Sequence, residues 1–281
     1  MIAPPPDVGG EITEALERHG IEPRAVSLVS PLGELKGRRW AYRVESTDGH
    51  IVKARQFEDG DTASRAFDLR ADLEGAFAPA LARYGSVLIE EWIEGVALAE
   101  PDVEAFVAEA GAVLGRLHSK PLGRGEPSAL DTRTWRDGAF SDLELLSAAG
   151  RLGGREVEAL RAEVSRRDPA WARAAVVHLD FCADNMVVDR SGRLRVIDNE
   201  LITVGPAAFD LARTLNLWPM RDEAWAGFRN AYDDTVSAQP GPLDFWRLVA
   251  TLTDARVFLE RSEERVETAL SRLRRFLGDE P

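Results

Sequence analysis

The chain has 281 residues, 44% of them hydrophobic, and carries 48 Asp plus Glu against 35 Lys plus Arg, a formal net charge of −13. Such a length and apolar content suit one large domain or two lobes with a common cleft. The acidic balance argues against a nucleic-acid or anionic-membrane partner and fits a cationic one, and no apolar run approaches the roughly 20 residues of a membrane span. The single cysteine, Cys182, rules out an intrachain disulfide. The first residues lack the basic and apolar regions of a secretory signal, so a cytoplasmic protein is expected, as a monomer or weak dimer.

In chain order, residues 11–19 set Ile12, Ala15, Leu16 and His19 on one helical face, with Gly20 as the stop. Three strands follow, at Val26–Val29, Trp40–Val44 and His50–Ala54, with a Gly33/Gly37 loop between the first two and the turn Thr47-Asp48-Gly49 between the last two. Lys53 lies on the third strand between apolar neighbours. Residues 62–74 have a helical pattern, and Ser86–Gly95 reads as a strand with a glycine stop. Residues 102–118 form a core helix capped by Asp102. A Gly-, Pro- and Ser-containing loop spans Pro121–Arg136, and residues 141–167 give one or two helices broken near Gly150–Gly154. Helices at 210–218, 222–236 and 243–278 complete the chain, with Phe228, Tyr232, Phe245, Trp246, Leu248, Val249, Leu252, Val257, Phe258 and Leu259 as core.

The chemistry concentrates between His178 and Glu200. The apolar run Ala174–Val177 enters it, and Met186–Val188 and Leu194–Ile197 read as two short strands around the turn Asp189-Arg190-Ser191-Gly192. Folding that hairpin about its centre sets Met186 opposite Ile197 and Asn185 opposite Asp198. Opposed residues have Cβ atoms roughly 5 Å apart, so their oxygens can share one cation. Asp180 lies five residues before Asn185. Two carboxylates and an amide oxygen form the sparse oxygen set that suits Mg²⁺ bound to nucleotide phosphate. A carboxylate that orients or deprotonates the attacking hydroxyl completes what phosphoryl transfer needs. With His178 these make a four-residue set whose order is far more specific than any one member, since Asp180, Asn185 or Asp198 alone reads as an ordinary polar residue on a hairpin surface.

The ordered set His178-x-Asp180-x-x-x-x-Asn185, then Ile197-Asp198-Asn199-Glu200 and Asp210-Leu211-Ala212-Arg213, resembles the aminoglycoside phosphotransferase family, small-molecule relatives of protein kinases. The resemblance implies an α+β, two-lobed, protein-kinase-like fold. Its N-lobe would span residues 1–92 and its mainly helical C-lobe residues 93–281. It implies ATP, with GTP as the alternative, and Mg²⁺ as cofactors. Asp180 would be the catalytic base, Asn185 and Asp198 the metal ligands, and Lys53 the grip on the α/β phosphates. Asp68, or else Asp72, would be the acidic partner of Lys53 from the following helix. In the hinge, the Glu91 carbonyl and the Ile93 amide would take the purine edge, and Glu200 is the candidate acceptor contact. His178 and Asp210 are read as braces of the catalytic loop. Leu179 and Asn199 stand where a protein kinase has Arg and Phe, and only eleven residues separate Asp198 from Asp210. A small acceptor is therefore expected. With the acidic charge this favours a cationic antibiotic, an aminoglycoside or a basic cyclic peptide of the tuberactinomycin type, whose phosphorylation confers resistance. A metabolite kinase of the same superfamily acting on an aminoalcohol, amino acid or sugar is the alternative, followed by a catalytically silent binding module and a carboxylate-metal hydrolase.

Overall fold

The computed structural model describes residues 10–29, 40–70, 73, 75–98 and 103–278. The Gly33/Gly37 loop, Asp72 and the cap Asp102 lie outside them. The chain forms two compact units. One comprises residues up to Ala99 together with Asp184–Thr203, and the other holds Glu100–Ala183 and Val204–Pro281. The sequence predicts a single cut at 92/93. The structure cuts seven residues later and groups the hairpin segment 184–203 with the first unit, because that hairpin hydrogen-bonds to strand residues 95–97.

The first unit is built on a five-stranded antiparallel sheet of β1 (Pro23–Leu28), β2 (Ala41–Ser46), β3 (Ile51–Gln56), β4 (Ala80–Tyr84) and β5 (Val87–Glu91), ordered β1-β2-β3-β5-β4. Gly49 takes the β2–β3 turn with φ 88°, a conformation that costs glycine little. Helix α1 (Gly10–Arg18) buries Ile12, Ala15 and Leu16 against Tyr42, Val44, Ala54 and Ile89 of the sheet, while His19 stays exposed beyond the helix end. Helix α2 (Gly60–Arg70) starts where the Asp59 side chain accepts from the Thr62 amide at 2.7 Å, and it buries Ala63, Ala66, Leu69 and Arg70. A second sheet joins β6 (Gly95–Ala97), β9 (Met186–Asp189) and β10 (Leu194–Val196), in the order β10-β9-β6.

The β9–β10 hairpin differs by one residue from its predicted register: Met186 pairs with Val196, not Ile197. The cause is the loop. The amide of Asp189 donates to the Arg193 carbonyl, so three residues turn the chain, with Gly192 at φ 79°. A three-residue loop ending in a left-handed glycine sets an even-odd offset that a symmetrical fold of the hairpin misses. The Ile197 amide then donates to the Asn185 carbonyl at 2.9 Å. Asp198 falls just past the strand, at φ 60°, ψ 53°, a left-handed conformation unfavourable for most non-glycine residues.

The second unit is mostly helical. It contains α3 (Val103–Ser119), α4 (Arg133–Ala148), α5 (Gly154–Arg167), α6 (Ala207–Leu217), α7 (Asp222–Thr235), α8 (Asp244–Phe258) and α9 (Glu263–Arg275). The strands β7 (Ala129–Asp131), β8 (Trp171–Val177) and β11 (Thr203–Pro206), two of them unforeseen, make a small sheet. Leu143, Leu160, Phe209, Trp246, Leu252 and Leu270 belong to its main core, whereas Val257, Phe258 and Leu259 are only half-buried at the end of α8. The predicted 243–278 helix is two helices, since Ser262 caps α9 by accepting from the Arg265 amide. Helices α3 and α7 approach closely at glycine: a Cβ on Gly111 would lie 2.1 Å from the Phe228 carbonyl oxygen.

Candidate active site

Three cations and three carboxylates meet inside the first unit. Lys53 stands in mid-β3 directly opposite Glu90 of β5. Its Nζ lies 3.5 Å from Glu90 Oε1 and 3.0 Å from Asp198 Oδ1. Residues two apart on a strand share a face, and Arg55 accordingly reaches the same group, 2.7 Å from Asp198 Oδ1 and 3.0 Å from Glu200 Oε1. Glu90 is 2% exposed and is also gripped by Arg70 of α2, which donates further to the Ala78 carbonyl at 3.3 Å. Burial alone would raise the Glu90 pKa, but Arg70, Lys53 and Arg55 hold it below its ordinary value. Burial likewise opposes the Asp198 charge, yet Glu200, Lys53 and Arg55 keep its carboxyl well below the usual range. For Glu200 burial wins, assisted by the adjacent Asp198 carboxylate, and pushes it up to about 8 against the pull of Arg55.

Asp68, the acidic partner expected on the helix, is not among the groups Lys53 meets. Asp68 is exposed and forms no ion pair among the described residues. The helix contributes a cation, Arg70, and the acid comes from the neighbouring strand. Glu200, expected to touch the acceptor, has one oxygen paired with Arg55, and its Oε2 is buried without a hydrogen bond. Glu90, Arg55 and Arg70 were missed in the sequence. The available signal was the Lys53-x-Arg55 alternation on one strand, which puts two cations on one face.

Lys53, Arg55 and Glu90 line a cavity of about 260 Å³ with Ala41, Trp92, Ile93, Asn185 and Asp198 on its wall. At the rim, the amides of Glu91 and Trp92 are taken by the carbonyls of Pro79 and Ile51. The Ile93 amide has no hydrogen bond among the described residues and is left able to donate. Asn185 and Asp198 bring an amide oxygen and a carboxylate to the cavity wall. Hard oxygens of this kind fit a small divalent cation such as Mg²⁺, which completes its shell with water and phosphate oxygens.

The second unit holds Asp180. β8 ends at Val177, and the chain turns through Leu179 at φ 65°. That turn is held by Asp210 of α6, which is fully buried: its Oδ2 accepts from the His178 amide and its Oδ1 from the Leu179 amide, both at 2.7 Å. His118 Nε2 lies 3.0 Å from Asp210 Oδ2, and its Nδ1 is 2.8 Å from the Tyr232 hydroxyl. Burial would raise Asp210, but the His118 and His178 contacts lower it, so it remains an anionic brace. The Asp180 amide donates to His178 Nδ1 at 3.3 Å. The Asp180 carboxylate, 35% exposed, faces Arg213 Nη2 at 3.9 Å.

A model of the phosphotransferase enzyme family matches residues 14–246. The chain belongs to that family. Its members share the kinase-like α+β fold, a β-sheet unit and a helical unit, and transfer phosphoryl groups to small molecules. By sequence the chain is similar to a homoserine kinase of Gluconobacter oxydans, 30% identical over 146 residues. That match covers 48% of this chain and 44% of the relative, less than half its length. By structure it is similar to choline kinase LicA from Streptococcus pneumoniae, with a TM-score of 0.65 at 15% identity, covering 96% and 98% of the two chains. An ADP-bound aminoglycoside phosphotransferase gives a TM-score of 0.60 at 17% identity, covering 95% and 97%. The proteins of similar fold thus include antibiotic and metabolite kinases. Among the described residues of this member, no helix is long and apolar enough to cross a membrane.

Proposed function

We propose that this phosphotransferase moves the γ-phosphoryl group of ATP onto a hydroxyl of a small molecule. The observation that carries the reading is the convergence of Lys53, Arg55, Asn185 and Asp198 on one cavity whose rim offers the Ile93 amide. In it, Lys53 grips the α/β phosphates from a strand position fixed by Glu90, and the Ile93 amide takes the purine edge. Asn185 and Asp198 would hold Mg²⁺, which when bound neutralises the charge on the phosphate oxygens. Asp180 accepts the hydroxyl proton. The acceptor oxygen forms a bond to the γ-phosphorus while the bond from that phosphorus to the β–γ bridging oxygen breaks, releasing ADP, and the proton passes from Asp180 to solvent. Catalysis by this set is positioning plus charge stabilisation.

Two acceptor classes draw on different observations. The net charge of −13 favours a cationic antibiotic, with resistance as the outcome. The sequence similarity to a homoserine kinase favours a hydroxy amino acid. A silent binding module is disfavoured because Lys53, Asp180, Asn185 and Asp198 are all present. The test is ADP release with Mg²⁺-ATP over a panel of aminoglycosides, a tuberactinomycin peptide, choline, hydroxy amino acids and a ketosamine, beside Asp180→Ala. One acceptor whose turnover drops at least about a thousandfold in D180A establishes the reaction and its class. Turnover that survives D180A refutes the assigned base.

A further inference from the structure

The second unit contains a cavity of about 580 Å³ whose wall includes Arg247 of α8, Arg272 and Arg275 of α9, Asn216 of α6 and Trp225 of α7, against one carboxylate, Asp222. Several other arginines of this unit pair with acids: Arg151 with Glu263, Arg161 with Glu144, Arg229 with Asp233 and Arg256 with Asp142. Arg247 and Arg275 form no ion pair among the described residues, and the only hydrogen bond of the Arg272 guanidinium is to the Asn216 carbonyl, at 3.0 Å. Three positive charges thus surround one space in a chain of net charge −13. Burial and the charges of Arg275 and Arg247 lower the Arg272 pKa, opposed by Asp254. Mutual repulsion of this kind is relieved by an anion, and the planar guanidinium fork matches carboxylate and phosphate oxygens.

One residue of the cavity wall neighbours the arginine that faces Asp180. Asn216 is three residues after Arg213 on α6, so the two side chains are neighbours on one helical face, with Cβ atoms about 5–6 Å apart. Arg213 faces Asp180, and the buried Asp254 lies within electrostatic reach of Arg213, Arg272 and Asp180 alike. Asn216 donates to Thr251 Oγ1 at 3.1 Å, which holds this wall in place between α6 and α8.

We infer that this arginine-lined cavity is the acceptor's anion subsite, and that the acceptor is a small hydroxylated molecule bearing a carboxylate or phosphate. The inference rests on the phosphotransferase reading and selects within it, against a purely cationic acceptor. The experiment compares wild type with the double variant Arg247→Ala/Arg275→Ala, two exposed positions. Acceptors are a hydroxy amino acid, its amino alcohol lacking the acid, glycerol 3-phosphate, glycerol and an aminoglycoside, with Mg²⁺-ATP throughout. Turnover of the acid-bearing member of a pair, with its KM raised at least tenfold in the double variant and the KM for ATP within twofold, supports the subsite. Which pair responds tells carboxylate from phosphate. Turnover confined to acceptors without an acid, or an unchanged acceptor KM, overturns it while leaving the phosphotransferase standing. Should no acceptor turn over, the phosphotransferase reading fails, and titration with inorganic phosphate followed by tryptophan fluorescence decides the cavity by itself. Saturable binding lost in the double variant keeps it as an anion site, and no saturable binding in wild type removes it.

Discussion

Replacing Glu90 by Gln tests the charge cluster where it is least exposed. Glu90 is the one carboxylate shared by Lys53, at 3.5 Å, and Arg70, and it is 2% accessible. At an effective dielectric of 20 a charge pair at that separation gains about 5 kcal/mol of gross attraction, most of which desolvation offsets. Removing one member of a buried pair leaves the others uncompensated and costs about 3–5 kcal/mol. Gln keeps an oxygen for one hydrogen bond, so about 3 kcal/mol is expected in urea unfolding. Lys53 would then be held by Asp198 alone, and the KM for ATP should rise about tenfold, with a smaller loss in kcat. Arg70→Met in the E90Q background restores the charge count and should recover part of the stability without recovering the KM. E90Q with wild-type stability and ATP affinity, together with a raised ATP KM in Asp68→Asn, would refute the assignment and return the partner to the helix.

Asp210→Asn removes the charge that two backbone amides and His118 converge on. A loss of about 3 kcal/mol in denaturant unfolding and a fall in kcat larger than any change in the KM for ATP are expected, because the loop it braces carries Asp180. Gly111→Ala drives a methyl group into the Phe228 carbonyl, 2.1 Å away. Parting α3 from α7 should cost about 1–3 kcal/mol, read from thermal unfolding. Asp142, paired with Arg256 at 2.7 Å, is pushed up to about 6 by burial against that arginine's pull. A carboxyl raised in the folded state favours folding below its unfolded pKa of 3.8 and loses that contribution as the pH rises to about 6. Asp142→Asn should therefore lose less stability than wild type between pH 4 and 6.5, by about 2 kcal/mol in parallel urea titrations.

What was legible in the sequence is what local spacing controls. Asp180, Asn185 and Asp198 fall within one stretch, and the turn residues Asp189 and Gly192 mark the hairpin that carries the last two. Its register was not legible, because one residue more or less in the loop is decided by the left-handed glycine and by Asp189, whose carboxylate accepts from the Ser191 and Arg193 amides. Glu90 was hidden for a different reason. Its meeting with Lys53 depends on how β3 and β5 align across 37 positions of chain, and nothing near either residue encodes that alignment. The helix partner was expected from a family pattern, whereas among the described residues the acids beside Lys53 are Glu90 of β5 and Asp198, and the helix supplies Arg70. The break between α8 and α9 was readable in hindsight from Ser262-Glu263-Glu264, a capping serine followed by first-turn acids.

The strand-to-strand pairing of Lys53 with Glu90 bears on control. A lysine that borrows its acid from a helix can be disarmed by swinging that helix away, which is how a movable element becomes a switch. Here both halves of the contact belong to adjacent strands joined by ladder hydrogen bonds. Displacing α2 would release Arg70 but leave Lys53 and Glu90 together. If Lys53 grips nucleotide as proposed, that grip is in this sense permanently cocked, and throughput would follow the supply of the two substrates rather than a gate in this helix. That arrangement suits an enzyme whose task is to respond at once to whatever acceptor arrives.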